Sequence, residues 1–562
     1  MTSQAPIDAL IDSLTPQQQI AQRLIVGTGG GDEAPLSPTA QHFLTLGVGG
    51  LILFRNDVEP FATAAECATW IKGLREQCLG LWVSVDQEGG FIERLPSRWF
   101  PSIPSPRAIG EAVRASASSQ RGYSTDVAAE AADWLGFYLE RLGIGMIMAP
   151  TLDVNTEATN PVIGVRSYSD DAETVVNCAT VALERFKARN LIAVGKHAPG
   201  HGSSTLDSHA TLPTLHPTAE ELGVFQRLAP QCQALMMAHA HYPNLQAGEA
   251  LSLPATLSPS VRSLIRNEWG FEGVLITDDL CMGAITQAYS AIESARQAVT
   301  AGMDILLYRD AGPDQWTVLE ALTDDLTSGR MDATAHRESL RRILTLKQST
   351  QSALPNPTTV AQLFNPASLA AISDSLADRT LTVQTPWPSN ESGEAIANKG
   401  SWWVIEPDRS NIPQYANEAD TATLAQHLMD AGVPVGHSVT YNVTAPWKSP
   451  IDCLPENTAI LWVSHAPHDA GFRENFVAWL NLFGPSVTII QVDAGLPLTG
   501  VAPGTHLYSG TYRTPNIAAL AQRLAPWMAP EKDSVWTGET FDWESILAAD
   551  PHALDDDATS SD

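Results

Sequence analysis

No run of about 18 uncharged apolar residues occurs in the 562-residue chain, which argues against a membrane-spanning helix. The N-terminal MTSQAPIDALIDSLTPQQQIAQRL lacks the basic start and apolar core of a secretory leader, so a soluble, cytoplasmic protein is expected. Cysteine is sparse: Cys67, Cys78, Cys178, Cys232, Cys281 and Cys453 form no CxxC pair, a spacing that suits reduced thiols and neither a disulfide framework nor a zinc knuckle. Lysine is nearly as scarce, at Lys72, Lys187, Lys196, Lys347, Lys399, Lys448 and Lys532. Positive charge is short overall, with 33 basic against 63 acidic side chains and a net charge of −30. Such a surface repels polyanions, so neither nucleic acid nor an anionic membrane is an expected partner. There is no GxSxG elbow for a serine hydrolase, and GTGGGD at Gly27 lacks the GxGxxG spacing of a phosphate cradle.

What is present is a globular composition, 44% hydrophobic and 17% charged. Single cores stop growing at about 250 to 300 residues, so more than one domain is expected. Eight short, β-branched apolar runs alternate with segments of helical period: Leu24 to Gly27, Gly50 to Phe54, Leu81 to Asp86, Gly145 to Pro150, Ile192 to His197, Ala234 to Ala240, Val274 to Asp279 and Asp304 to Tyr308. Continuous apolar runs fit strands buried on both faces, and stretches such as SAIESARQAVTAG fit covering helices. An open doubly wound sheet has the same alternation. Several runs, however, end in Asp86, Lys196 and His197, His239, or Asp278 and Asp279, and barrel enzymes gather such residues at the carboxyl ends of their strands. The predicted fold class is therefore α/β, with an N-terminal (β/α)8 barrel of TIM type over residues 1–350.

A Pro-, Ser- and Thr-rich stretch, QSALPNPTTV, opens a linker and helix at 351–378. A second α/β domain, three-layered and parallel, is expected at 379–545, with strands at Trp402 to Glu406, Ala459 to Ala466, Ser486 to Asp493 and His506 to Gly510. An acidic, flexible tail is expected at 546–562.

The densest cluster of reactive side chains is GKHAPGHGSSTLDSH, Gly195 to His209. His197 and His201 stand at i, i+4, a metal-binding spacing only on a helix, which Pro199 and Gly200 prevent, so no metal is expected. Asp207 and His209, two apart, can set a carboxylate beside an imidazole as an acid–base pair. They read equally as an Asx turn beside a solvent-exposed histidine. In GFEGVLITDDLCMGAI, alternation puts Val274, Ile276 and Asp278 on one strand face, which makes Asp278 a candidate nucleophile and leaves Asp279 for capping or orientation. In SVDQEGGFIERL, Asp86 and Glu88 stand at a strand end where carboxylates bind sugar hydroxyls, and Glu88 is an alternative acid. Arg166 is a further polar candidate, or a surface ion pair.

KHAPGHGSSTLDSH, ITDDLCM, DQEGG, APTLDVN and NPVIGVRSYS together resemble the N-acetylglucosaminidase branch of glycoside hydrolase family 3. One departure is Ala198, where the family's KHFPGHG has an aromatic residue. TYRTPNIAALAQRL at Thr511 to Leu524 is similar to the end of the second domain of two-domain members. The resemblance implies that Asp278 is the nucleophile, that Asp207 and His209 form an acid–base dyad, and that Asp86, Arg166, Lys196 and His197 bind the sugar. It implies a retaining exo-hydrolase of terminal β-linked N-acetylhexosamine on short glycans, with no cofactor or metal. A β-glycoside phosphorylase, a β-glucosidase and a non-catalytic glycan-binding sensor are the alternatives.

Overall fold

The computed structural model describes residues 4–380 apart from 32–33, 79, 91, 117–123, 158–159, 250–251 and 351–353, and beyond them 382–383, 402–407, 426, 428–429, 435–441, 459–464, 488–493 and 505–508. Eight strands, β1 (Leu24–Val26), β2 (Gly50–Leu53), β3 (Trp82–Val85), β4 (Met146–Ile147), β5 (Ile192–Ala198), β6 (Ala234–Met237), β7 (Val274–Asp279) and β8 (Ile305–Tyr308), close into a barrel. All eight pairings are parallel. Each expected strand is there, most of them trimmed at the ends. β4 shrinks most, to two residues, and Pro150, which has no N–H to give a ladder, lies beyond it.

Alternate side chains of these strands fill the barrel: Ile25, Ile52, Trp82, Met146, Ile192, Val194, Ala234, Met236, Val274, Ile276, Ile305 and Leu307 form one buried interior cluster. Ile343 of the helix Ala333–Ser349 closes it from below. The intervening Leu24, Val26, Leu51, Leu53, Val83, Val85, Leu235, Leu275 and Leu306 belong to the outer core under the helices. Truncating one interior residue, such as Ile276→Ala, costs about 2–5 kcal/mol. The inward parity then runs past the apolar positions, from 82 and 84 to Asp86, from 192 and 194 to Lys196, and from 274 and 276 to Asp278. Strand geometry alone thereby brings three charged side chains to the carboxyl mouth.

The expected covering helix before β8 runs from Ala291 to Ala301, started by a Ser290–Glu293 capping box and burying Ala295 and Ala298. The stretch read as a linker already contains a helix, Pro357–Leu363. Asn356 caps it through the N–H groups of Thr358 and Thr359, and Pro357 fills its first position. A second helix, Pro366–Thr380, is tied to the barrel where Ser102 N–H donates to Ser373 Oγ at 2.8 Å.

Six further strands, β9 (Thr382–Val383), β10 (Trp402–Pro407), β11 (Val435–Tyr441), β12 (Ala459–Ser464), β13 (Thr488–Asp493) and β14 (Thr505–Tyr508), form a sheet in the order β9-β14-β13-β12-β10-β11. It is parallel except at β9. The four strands expected here are present. β11 was not foreseen because VGHSVTY mixes polar with apolar residues and has no continuous apolar run. Most of the helices expected to flank this sheet, the segment 511–524 and the tail 546–562 lie outside the described residues. Among the described residues no helix is long and apolar enough to cross a membrane.

Candidate active site

At the mouth of the barrel the charged ends of β3 and β5 meet the loop after β4. Lys196 Nζ lies 2.7 Å from Asp86 Oδ1 and 2.5 Å from Glu88 Oε1. Arg166 grips the same Glu88 in a two-pronged bond, Nε to Oε2 and Nη2 to Oε1 at 2.9 Å each. Two cations and two carboxylates thus balance in a nearly dry cluster. Burial would raise the Glu88 pKa, but Arg166 and Lys196 outweigh it and hold the carboxyl far below the ordinary carboxylate range. A proton donor needs the opposite shift, so Glu88 is a counterion and not the acid considered above. Asp86 is the most open of these four and keeps lone pairs free for a sugar hydroxyl.

His197 is fixed from two sides. Its Nδ1 lies 2.7 Å from Asp153 Oδ2, and its Nε2 lies 3.3 Å from Arg166 Nη2. With Nδ1–H on the carboxylate, Nε2 accepts from the guanidinium. Asp153, fully buried, also accepts the backbone N–H groups of His197 and His201 at 3.1 and 2.7 Å. The two loops are riveted by Asn160, whose Nδ2 donates to His201 O and Gly202 O and whose Oδ1 accepts from Val162 N and Ile163 N, all at 2.9 Å. Gly202 is needed there because a Cβ would lie 1.6 Å from Val154 O.

Asp278 stands at the end of β7, with Oδ1 accepting Asp279 N–H at 2.8 Å. Burial pushes its pKa up, yet His239, His197, the Asp279 N–H and Lys196 outweigh that and hold it below the ordinary value, so it is anionic at neutral pH. Asp279 turns away: Oδ1 accepts from Cys281 N and Arg309 N, which orients the turn after β7, while the N-cap of the next helix is Met282 and not Asp279. Asp207 and His209 sit on an exposed loop held against the segment after β7, where Gly283 N donates to His209 O, with Nδ1 of the imidazole 2.8 Å from Asp207 Oδ1. That bond raises the His209 pKa above 6.5 against partial desolvation, and the fields of Asp278 and Arg166 reach it as well. Asp86, Arg166, Lys196, His197 and Asp278 thus stand together at the ends of β3, β5 and β7 and the loop after β4, and the Asp207–His209 pair lies within electrostatic reach of Asp278 and Arg166.

Sequence reasoning missed the supports. Asp153 lies inside APTLDVN but shows no pattern of its own, and Asn160 carries no local signal. His239 was noted only as a strand end. Buried, and with its pKa pushed down by that burial, it places Nε2 3.0 Å from Asp279 O and Nδ1 2.8 Å from Thr256 Oγ1. His201, weighed only as a metal ligand, is buried with neither ring nitrogen hydrogen-bonded, and desolvation takes its pKa down to about 4.

Residues 17–346 match the glycosyl hydrolase family 3 N terminal domain. The chain belongs to glycosyl hydrolase family 3. That membership makes it a glycoside hydrolase. It is 30% identical over 325 residues to beta-hexosaminidase A of Pseudoalteromonas piscicida, an overlap of 53% of each protein, so it spans about half the length of that relative. It is also 30% identical over 355 residues to beta-hexosaminidase LpqI of Mycobacterium tuberculosis, covering 61% of this chain and 84% of LpqI. Among solved structures, a glycoside hydrolase family 3 beta-N-acetylglucosaminidase from Paenibacillus sp. superposes with a TM-score of 0.73 at 28% identity, over 92% of this chain and 98% of the other.

Proposed function

We propose that this chain removes terminal β-linked N-acetylhexosamine from short glycans by a retaining, two-step hydrolysis, and that residues 1–350 carry the reaction while 379–545 form a separate unit. The observation that supports the reading is the hydrogen-bonded His209–Asp207 pair within the field of an ionised Asp278. The names of the relatives above give the sugar class.

In the first step Asp278 Oδ attacks the anomeric carbon while His209, as imidazolium, gives its Nε2 proton to the departing glycosidic oxygen. Asp207 on Nδ1 keeps the ring oriented and the cation stable. In the second step neutral His209 takes a proton from water, which displaces Asp278 and restores the β-anomer. Asp86, Arg166, Lys196 and His197 hold the sugar hydroxyls, preorganised by Glu88 and Asp153.

An imidazole repels an incoming anion less than a carboxylate does, and Arg166 adds its field at His209. That favours phosphorolysis as the second reading. Hydrolysis of nitrophenyl β-glycosides with and without phosphate separates the two. N-acetylglucosamine as product in both buffers supports the proposal, a sugar 1-phosphate points to the phosphorylase, and turnover of the glucoside alone overturns the sugar class.

A further inference from the structure

The acid–base pair lies in a poor place for precision. Asp207, His209 and Ala210 are exposed, and in this stretch Ser208 alone is buried. Local bonds shape the segment: Asp207 O accepts from Ala210 N and Thr211 N at 3.0 Å each, and Asp207 Oδ1 from His209 N at 2.8 Å. They fix the bend of the loop and not its place over the mouth.

Its place comes from a single neighbour. Among the described residues, each hydrogen bond that ties 207–210 to another element runs to the start of the segment after β7. Gly283 N donates to His209 O at 2.9 Å, Ala284 N to Ser208 O at 3.3 Å, and Gln287 Nε2 to Ala210 O at 2.5 Å. The approach is close enough that a Cβ on Gly283 would stand 2.6 Å from His209 O and 2.7 Å from Ala210 O, distances that real side chains do not adopt against backbone.

This seat begins five residues after the nucleophile, and the turn between is pinned. Asp279 Oδ1 holds Cys281 N at 2.9 Å, Asp279 O holds Met282 N at 3.0 Å, and the same carbonyl accepts Nε2 of buried His239 at 3.0 Å. One rigid turn therefore spans from Asp278 to the backbone of His209. A retaining glycosidase places its two reacting groups about 5–5.5 Å apart, and a misplacement of about 1 Å can cost about 100-fold.

We infer that the turn Gly283–Thr286 is the seat that sets His209 at its working distance from Asp278, with Gly283 and Gln287 as positioning residues. The inference rests on the acid–base reading of His209 given above. A displaced acid is felt by substrates whose leaving group needs a proton, and hardly by those whose leaving group departs unaided.

The test compares kcat/KM, which reports the first covalent step, for the phenyl and the 2,4-dinitrophenyl β-N-acetylglucosaminides. The intact enzyme, Gly283→Ala, Gln287→Ala and His209→Ala are each assayed, with thermal unfolding recorded. Gly283→Ala is expected to lose about 30-fold or more on the phenyl glycoside and less than about 3-fold on the dinitrophenyl one, a fraction of the full acid contribution of about 10²–10⁴. Gln287→Ala, a surface change, shows the same split at about 3- to 10-fold and carries the test alone if Gly283→Ala does not fold. If His209→Ala shows the split and the seat variants lose both substrates equally or neither, the seat is wrong. If His209→Ala itself shows no split, the acid–base assignment falls, and the seat with it.

Discussion

Two imidazole–carboxylate pairs of nearly equal length stand twelve positions apart on the same loop system, His197–Asp153 at 2.7 Å and His209–Asp207 at 2.8 Å. The first is buried, with side chains 7% and 0% exposed, and the second is open to water at 59% and 48%. Burial decides what each can do. In the first pair both ring nitrogens are engaged, one by Asp153 and one by Arg166, so the ring is a fixed surface for a ligand. In the second the ring is engaged through Nδ1, is open to water and has a raised proton affinity, which suits it to the proton exchange proposed for it. Equal contact distance therefore says little about role, and the environment says most.

The largest effect comes from the group both pairs face. Asp278→Ala is expected to lower kcat by about 10⁴-fold or more with an unchanged melting temperature, because the proposed covalent intermediate then has no nucleophile. Activity within about 10-fold of wild type would mean that the two pairs serve some other centre.

Next comes the buried pair. Asp153→Ala strips one carboxylate of the imidazole and two backbone N–H bonds it satisfies in a dry site, and breaking a buried pair costs about 3–5 kcal/mol. Denaturant unfolding should register that loss. Asp207→Asn, on the exposed pair, should shift the same curve by no more than about 1 kcal/mol. Equal losses in the two variants would abolish the distinction drawn from burial.

The two pairs also differ in how far the sequence disclosed them. Asp278, Lys196 and Asp86 were legible because strand parity is a local rule: once VLITDD reads as a strand, Asp278 follows Ile276 to the inner face. His209 and Asp207 were legible as neighbours, two residues apart, though not as placed; their position depends on Gly283, over seventy residues away. Asp153 pairs with His197 only after β4 and β5 become adjacent, and Asn160 rivets two loops that no local pattern connects. Glu88 was misjudged as an acid candidate for the same reason, since the two cations that hold it ionised come from β5 and the loop after β4. Short-range chemistry is written in the chain, whereas long-range counterions appear on closure.

A smaller effect separates the pairs by chemistry. The first step needs ionised Asp278 and protonated His209. The Asp278 pKa is lowered, so its limb lies below the ordinary 3.8, and the His209 pKa is raised, so kcat/KM holds above 6.5 and falls as pH rises through the folded value. Asp207→Asn keeps an acceptor oxygen but removes the negative charge that makes this bond raise the imidazole pKa. The alkaline limb of kcat/KM should then move to lower pH, with about a 100-fold loss on substrates that need a proton. An unmoved limb would assign that titration to another group.

The smallest effect is the most specific to exposure. Ions screen charges in water within a Debye length of about 8 Å at 0.15 M and about 3 Å at 1 M, and hardly reach a dry cluster. The direct hydrogen bond to Asp207, which salt leaves in place, is the largest cause of the His209 shift; desolvation opposes it, and the Coulombic share is the upward pull of Asp207 and Asp278 against the smaller downward push of Arg166. Raising the ionic strength to 1 M should therefore lower the alkaline limb by about a few tenths of a pH unit. KM should change little, since the cluster of Asp86, Glu88, Arg166 and Lys196 that shapes the sugar site is largely buried and internally neutral. A rise in KM with a fixed limb would invert the assignment, making the buried cluster the one open to water and the dyad the one that is closed.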